Sequence, residues 1–229
     1  KNNDVGHRVI FIFIGRFGRC ACVVNSGRGC IGLVIRRQCR LATKRKTKQD
    51  NSYQQRKTHL LQTEVRPATL YVVATPIGNL RDITLRALDI LANVDCVIAE
   101  DTRNTSTMLQ HHGINAKLLS LHQHNERERS EQIVERLAAG QSLALVSDAG
   151  TPGISDPGAI LVDSVRRAGY KIVPIPGASA LATALSASGM QSIPFMFHGF
   201  LPVKSAARKK FLESLLEQSG TLIFYEAPH

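Results

Sequence analysis

Three loops rich in glycine and proline, each directly behind a short apolar run, limit what this chain can fold into. Leu70-Tyr-Val-Val-Ala74 leads into Thr75-Pro-Ile-Gly-Asn79. Ser142 to Val146 leads into Ser147-Asp-Ala-Gly-Thr-Pro-Gly-Ile-Ser-Asp-Pro-Gly158, and Lys171 to Ile175 leads into Pro176-Gly-Ala-Ser179. Short β-prone runs closed by such loops read as strands. Val94 to Ala99 and Lys117 to Ser120 read as two more. Between them the spacing predicts helices: over 82–91 with Ile83, Leu85, Leu88 and Leu91, after Asp101, over Glu126 to Ala139 with Ile133, Val134 and Leu137 inward, and over 157–168. Gly140 and Gly169 stop the last two. Strands alternating with helices of this length require right-handed crossovers, so the expected class is α/β with a mostly parallel sheet.

In an open α/β sheet the loops at the carboxyl ends of the strands line the ligand crevice. Glycine there leaves no side chain between backbone and ligand, and Ala178, Ser179 and Ala180 leave room for a nucleoside. A single such loop is ordinary punctuation; three behind strands of one sheet point to a cofactor cleft. No G-x-x-x-x-G-K-[ST] occurs, and no G-x-G-x-x-G follows the first strand, which counts against an NTPase or a dehydrogenase.

Charge divides the chain. Residues 1–66 hold 15 Lys and Arg against 3 Asp and Glu, whereas residues 67–229 hold 14 against 15. The net +11 is therefore no argument for RNA binding by the catalytic part. The first 66 residues read as a basic, disordered or extraneous extension, with a presequence or a phosphate-binding arm as alternatives. Val9 to Ile14 is too short to span a bilayer. Cys20, Cys22, Cys30 and Cys39 lack the usual spacing of a zinc knuckle, and Cys96 reads as a small buried hydrophobe. The first α/β domain is assigned to 67–176. A second begins at 177–229, with Phe195 to Phe200, a helix over Ser205 to Gln218 and a strand over Thr221 to Tyr225. The chain stops straight after that strand, so this domain reads as truncated with an open sheet edge.

Leu70-Tyr-Val-Val-Ala-Thr-Pro-Ile-Gly-Asn-Leu80, Glu100-Asp-Thr-Arg103, Ser147-Asp-Ala-Gly-Thr-Pro152, Ser155-Asp-Pro-Gly158, Pro176-Gly-Ala-Ser179 and Phe224-Tyr-Glu-Ala-Pro-His229 carry a resemblance. In order and spacing they resemble the bacterial small-subunit (16S) ribosomal RNA (cytidine-2′-O)-methyltransferases of the tetrapyrrole-methylase superfamily. The resemblance covers about Thr69 to His229 and leaves out residues 1–66. It implies a two-domain tetrapyrrole-methylase-like fold, S-adenosylmethionine in the cleft, 2′-O-methylation of a cytidine ribose in small-subunit rRNA, a homodimer and a cytoplasmic location, with no membrane and no metal. Carried over by position, it implies cofactor contacts from Pro76, Ile77, Asp148, Ala149, Gly150, Thr151, Ser155, Ala178, Ser179 and Tyr225.

Transfer to a ribose hydroxyl needs alignment and a base or a polarising cation. Asp101 and Arg103 stand behind an apolar strand, with Glu100 beside them. His122, His124 and Glu126 cluster behind another, and Glu226 and His229 end the last. Asp101, Arg103, His122 and Glu226 are the catalytic candidates. Asp101 could equally cap the following helix, Arg103 pair with a surface acid, and the histidines contact RNA or the cleft wall. Two other functions stay open: the same fold methylating a tetrapyrrole or other small molecule, and a non-catalytic protein binding RNA through its basic arm. Methyl incorporation into RNA or porphyrinogen, and salt-sensitive binding lost with residues 1–66, separate the three.

Overall fold

The computed structural model describes residues 8–15, 19–25, 30–34, 64–123, 125–190 and 194–226. The basic stretch from Arg36 to Lys57, Cys39, His124 and His229 lie outside these. One five-stranded parallel sheet contains β4 (Thr69–Val73), β5 (Cys96–Ala99), β6 (Leu118–Ser120), β7 (Leu143–Val146) and β8 (Lys171–Ile175), in the order β6-β5-β7-β4-β8. β5 and β7 are buried along their whole length, as a parallel sheet covered on both faces requires. On one face Tyr71, Val73, Val97 and Val146 meet α1 (Leu85–Asn93) and α2 (Thr102–His111) through Ile90, Leu91, Met108 and Leu109. On the other, Leu70, Ile98, Leu143 and Leu145 meet α3 (Glu126–Ala138) and α4 (Ala159–Arg167) through Ile133, Leu137, Leu161 and Val165.

The predicted elements are all present, with ends trimmed. The 82–91 helix splits into a 3₁₀ turn at Leu80–Asp82 and α1, because the Thr84 hydroxyl accepts from the Ala87 amide and starts the helix there. The last predicted helix ends early, as α6 (Ser205–Glu213). Cys96 is buried, as its apolar run implies.

A second sheet has the order β3-β2-β1-β10-β9, from β1 (Arg8–Gly15), β2 (Arg19–Asn25), β3 (Cys30–Val34), β9 (Phe195–Phe200) and β10 (Thr221–Glu226). Here the structure departs from the expected disordered extension over residues 8–15, 19–25 and 30–34. β1 runs parallel to β10, with Ile10 opposite Ile223 and Ile12 opposite Tyr225. Ile10 and Ile12, two residues apart and so on one face, are fully buried with Ala180 and Ala184 of α5 (Ala180–Ala187). The expected open edge at β10 is therefore absent, since β1 and β9 pair with its two sides. A β-branched run long enough for one strand outweighs the basic composition around it. Among the described residues no helix is long and apolar enough to cross a membrane.

Candidate active site

The sheet order creates the crevice. From β5 the chain leaves through α2 to β6 at one edge, and from β7 it leaves through α4 to β8 at the other. Neighbouring strands whose connections part in this way leave an opening at their carboxyl ends. Ala99 and Val146 are opposite each other in register, so Glu100-Asp101 and Ser147-Asp148 emerge side by side. The Asp148 carboxylate accepts from the Asp101 amide at 3.2 Å and from the Asn104 side chain at 3.0 Å, joining the two loops.

The loop behind β4 is tied to the one behind β7. Thr75 and Gly150 exchange backbone hydrogen bonds of 2.8 and 3.0 Å, and the Thr75 hydroxyl donates to the Ser147 carbonyl. Gly150 sits at φ +93°, a conformation that disfavours any side chain, and a Cβ there would come within 3.3 Å of Ile77. Replacing Gly150 by Val is expected to cost about 1–3 kcal/mol of stability from backbone strain. It is also expected to obstruct the hollow, so thermal unfolding and cofactor titration of one variant check both effects. The Thr151 hydroxyl donates to the Ala178 carbonyl, which brings in the loop behind β8.

Two hollows meet at Asp148. The first is walled by the Asp148–Thr151 loop, by Ser155, Asp156 and Ser179, and by apolar Ile77, Ala180, Phe200 and Tyr225. The second is lined by Glu100, Asp101, Thr102, Arg103, Ser120 and His122. Of the residues assigned to the cofactor, Ile77, Asp148, Ala149, Gly150, Thr151, Ser155, Ser179 and Tyr225 line the first hollow. Pro76 and Ala178 are not on its wall; Ala178 acts through its carbonyl. Of the catalytic candidates, Asp101, Arg103 and His122 line the second hollow together. Glu226 lines neither and lies at the end of β10.

Electrostatics separates the acids. Both oxygens of Asp101 accept from Arg103, and the Arg103 amide is capped as well, which lowers the Asp101 pKa to about 2. Asp101 is thus both helix cap and ion-pair partner. Burial raises Glu100 to about 7, helped by the nearby negative charges of Asp148, Asp156 and Asp101. Burial and Asp148 likewise raise Asp156 to about 6. Asp156 was passed over in the sequence, although it stands inside the Ser155-Asp-Pro-Gly158 motif. Glu126 lines neither hollow. It is buried, and its carboxylate accepts from the amides of Gly158, Ile160 and Leu161 at the start of α4. Among the described residues no group of three or more His, Cys, Asp or Glu could hold a metal ion.

The family profile of the tetrapyrrole (corrin/porphyrin) methylases matches residues 69–229. Over 160 residues the chain is 57% identical to the ribosomal RNA small subunit methyltransferase I of Vibrio cholerae, covering 70% of this chain and 56% of the relative. The Haemophilus influenzae protein of the same name is 56% identical with the same coverage. The chain thus spans 56% of the length of each of these relatives. A solved diphthine synthase shares the fold, with a TM-score of 0.52 at 19% identity over 69% of this chain and 64% of that one. The parallel sheet, crevice loops and sequence agree, and the chain belongs to the tetrapyrrole (corrin/porphyrin) methylase family.

Proposed function

We propose that this protein is an S-adenosylmethionine-dependent methyltransferase acting on small-subunit rRNA, with a cytidine 2′-hydroxyl as acceptor. The observation that carries the reading is the pair of hollows meeting at Asp148, one built for a small cofactor and one for the group that receives the methyl. The first hollow suits this cofactor chemically. Apolar Ile77, Ala180, Phe200 and Tyr225 offer surface for an adenine, and backbone of the Ala149–Gly150 segment offers hydrogen bonds. Asp148 and Asp156 offer negative charge to a cationic ligand. When bound, the cofactor supplies an electrophilic sulfonium methyl.

The chain's own residues then have distinct tasks. Asp148 holds the two loops in register, so both hollows keep a fixed geometry. Glu100 takes the proton of the acceptor hydroxyl, because it lines the second hollow and burial there raises its pKa to about 7. Asp101 is too weak a base for that step and instead fixes Arg103, whose exposed guanidinium faces the acceptor's phosphate. His122 completes the wall of that hollow. The proposal includes a homodimer, a cytoplasmic location and a division into units 67–176 and 177–229. The packing of α5 against β1 and β10 supports that division, with β1, β2 and β3 belonging to the second unit's sheet.

Calorimetric titration of S-adenosylmethionine into the 229-residue chain is expected to give micromolar binding, weakened at least tenfold by Asp148→Ala. Incubation of the chain with labelled cofactor and small-subunit rRNA is expected to yield 2′-O-methylcytidine on nuclease digestion. Cofactor binding with transfer only to a porphyrinogen would move the acceptor to the tetrapyrrole alternative.

A further inference from the structure

The rim of the cleft poses a charge problem. Its hollows are lined by Glu100, Asp101, Asp148 and Asp156, and Arg103 is their one Lys or Arg among the described lining residues. An acidic cleft repels a polyanionic acceptor, and residues 67–229 have no net positive charge to offset that. An RNA substrate needs cations placed locally beside the opening.

α6 offers them. β9 ends at Phe200, which is 47% exposed and lines the first hollow beside Tyr225. Leu201-Pro-Val-Lys204 then turns into α6, and the Arg208 guanidinium donates to the Pro202 carbonyl, which fixes the helix to that turn. The inner side of α6 is apolar: Phe211 and Leu212 pack on Leu201, Leu222 and Phe224. Lys209 and Lys210 on the helix, and Lys204 at its N-cap, are all exposed. Among the described residues Lys204 and Lys210 have no acid within 4 Å, and Lys209 reaches Glu213 only at 3.9 Å. The contrast with α4 is instructive, since Arg166 and Arg167 there both pair with Asp163, at 2.6 and 2.7 Å. The α6 cations begin four residues past an aromatic ring on the cleft wall and are left largely unpaired.

We propose that the 203–210 segment, with Lys204, Lys209 and Lys210, is a docking surface for the phosphates of the RNA acceptor, Phe200 and exposed Val203 forming its apolar border. The inference rests on the rRNA reading above and adds the surface that holds the RNA. Basic groups beside an exposed aromatic ring suit single-stranded or looped RNA, whose bases stack while its phosphates pair.

The test uses the full chain and a small-subunit rRNA transcript. Lys204→Ala, Lys209→Ala and Lys210→Ala together are expected to weaken RNA binding roughly 10- to 100-fold near physiological salt. The slope of log K against log salt is expected to fall by about 2–3, as for three lost phosphate contacts. Arg166→Ala with Arg167→Ala is expected to change neither. The basic arm in residues 1–66 is common to all variants, so its contribution cancels. Lysine acetylation footprinting adds a second readout, with Lys204, Lys209 and Lys210 expected to be protected by RNA. Unchanged affinity and slope with these lysines still reactive would overturn the surface while leaving the rRNA reading intact. A wild-type chain that binds S-adenosylmethionine but no RNA would overturn both.

Discussion

Replacing Glu100 by Gln is expected to lower the rate of RNA methylation by about 10²- to 10⁴-fold, the usual worth of a positioned general base. Cofactor affinity should stay within a few-fold, because Glu100 lines the second hollow and not the first. With Glu100 at about 7, the wild-type rate is expected to rise tenfold per pH unit below that value and level off above it. The Gln variant should lack this limb. Folding can be separated from chemistry by a sign argument. Burial and the facing charges of Asp148, Asp156 and Asp101 penalise ionised Glu100, so its folded pKa lies above the unfolded one. Its ionisation therefore costs no stability below about 4.5, costs progressively more between about 4.5 and about 7, and costs the full amount above that. Above pH 7 the neutral Gln isostere should unfold no earlier than wild type in a thermal melt. A Gln variant that keeps full activity would remove Glu100 from the chemistry.

The second large effect is on stability. Glu126→Ala is expected to cost about 3 kcal/mol, from a lost helix cap and buried amides left without an acceptor. For a chain of this size that is a fall in Tm of roughly 6–12 °C. The reason lies 32 residues away. Gly158 is the N-cap of α4 at φ +132°, and a Cβ there would come within 2.8 Å of Leu145. The cap must therefore be glycine, which has no side chain to accept from the helix amides. Glu126 accepts from three of them instead and also anchors the end of the Ser155–Gly158 loop. Glu126→Gln, which keeps one acceptor oxygen, should recover part of the loss. Cofactor affinity should fall in parallel, since Ser155 and Asp156 line the first hollow.

Most of the methylase sheet was legible in the chain. Runs such as Leu70–Ala74 and Lys171–Ile175 are strands because β-branched and apolar residues occur together between loop residues, and that signal is local. The crevice loops were legible for the same reason, since glycine and proline act on their own backbone. Roles depending on distant partners were not. Glu126 looked like part of a histidine cluster, and only the packing of α3 against α4 makes it a helix cap. Asp101 and Glu100 are adjacent acids of similar ordinary pKa, and only the folded surroundings separate them: hydrogen bonds from Arg103 draw Asp101 down to about 2, while burial, with Asp148 and Asp156 facing it, pushes Glu100 up to about 7. The Val9–Ile14 run looked detached because, although β2 follows it closely and pairs with one edge, the partner that joins it to the rest of the sheet is β10, more than 200 residues later. Local backbone preference and periodicity determined the elements and the positions of the loops. The tertiary structure alone decided charge state, capping and strand partnership, because each is an interaction between groups that the sequence holds far apart.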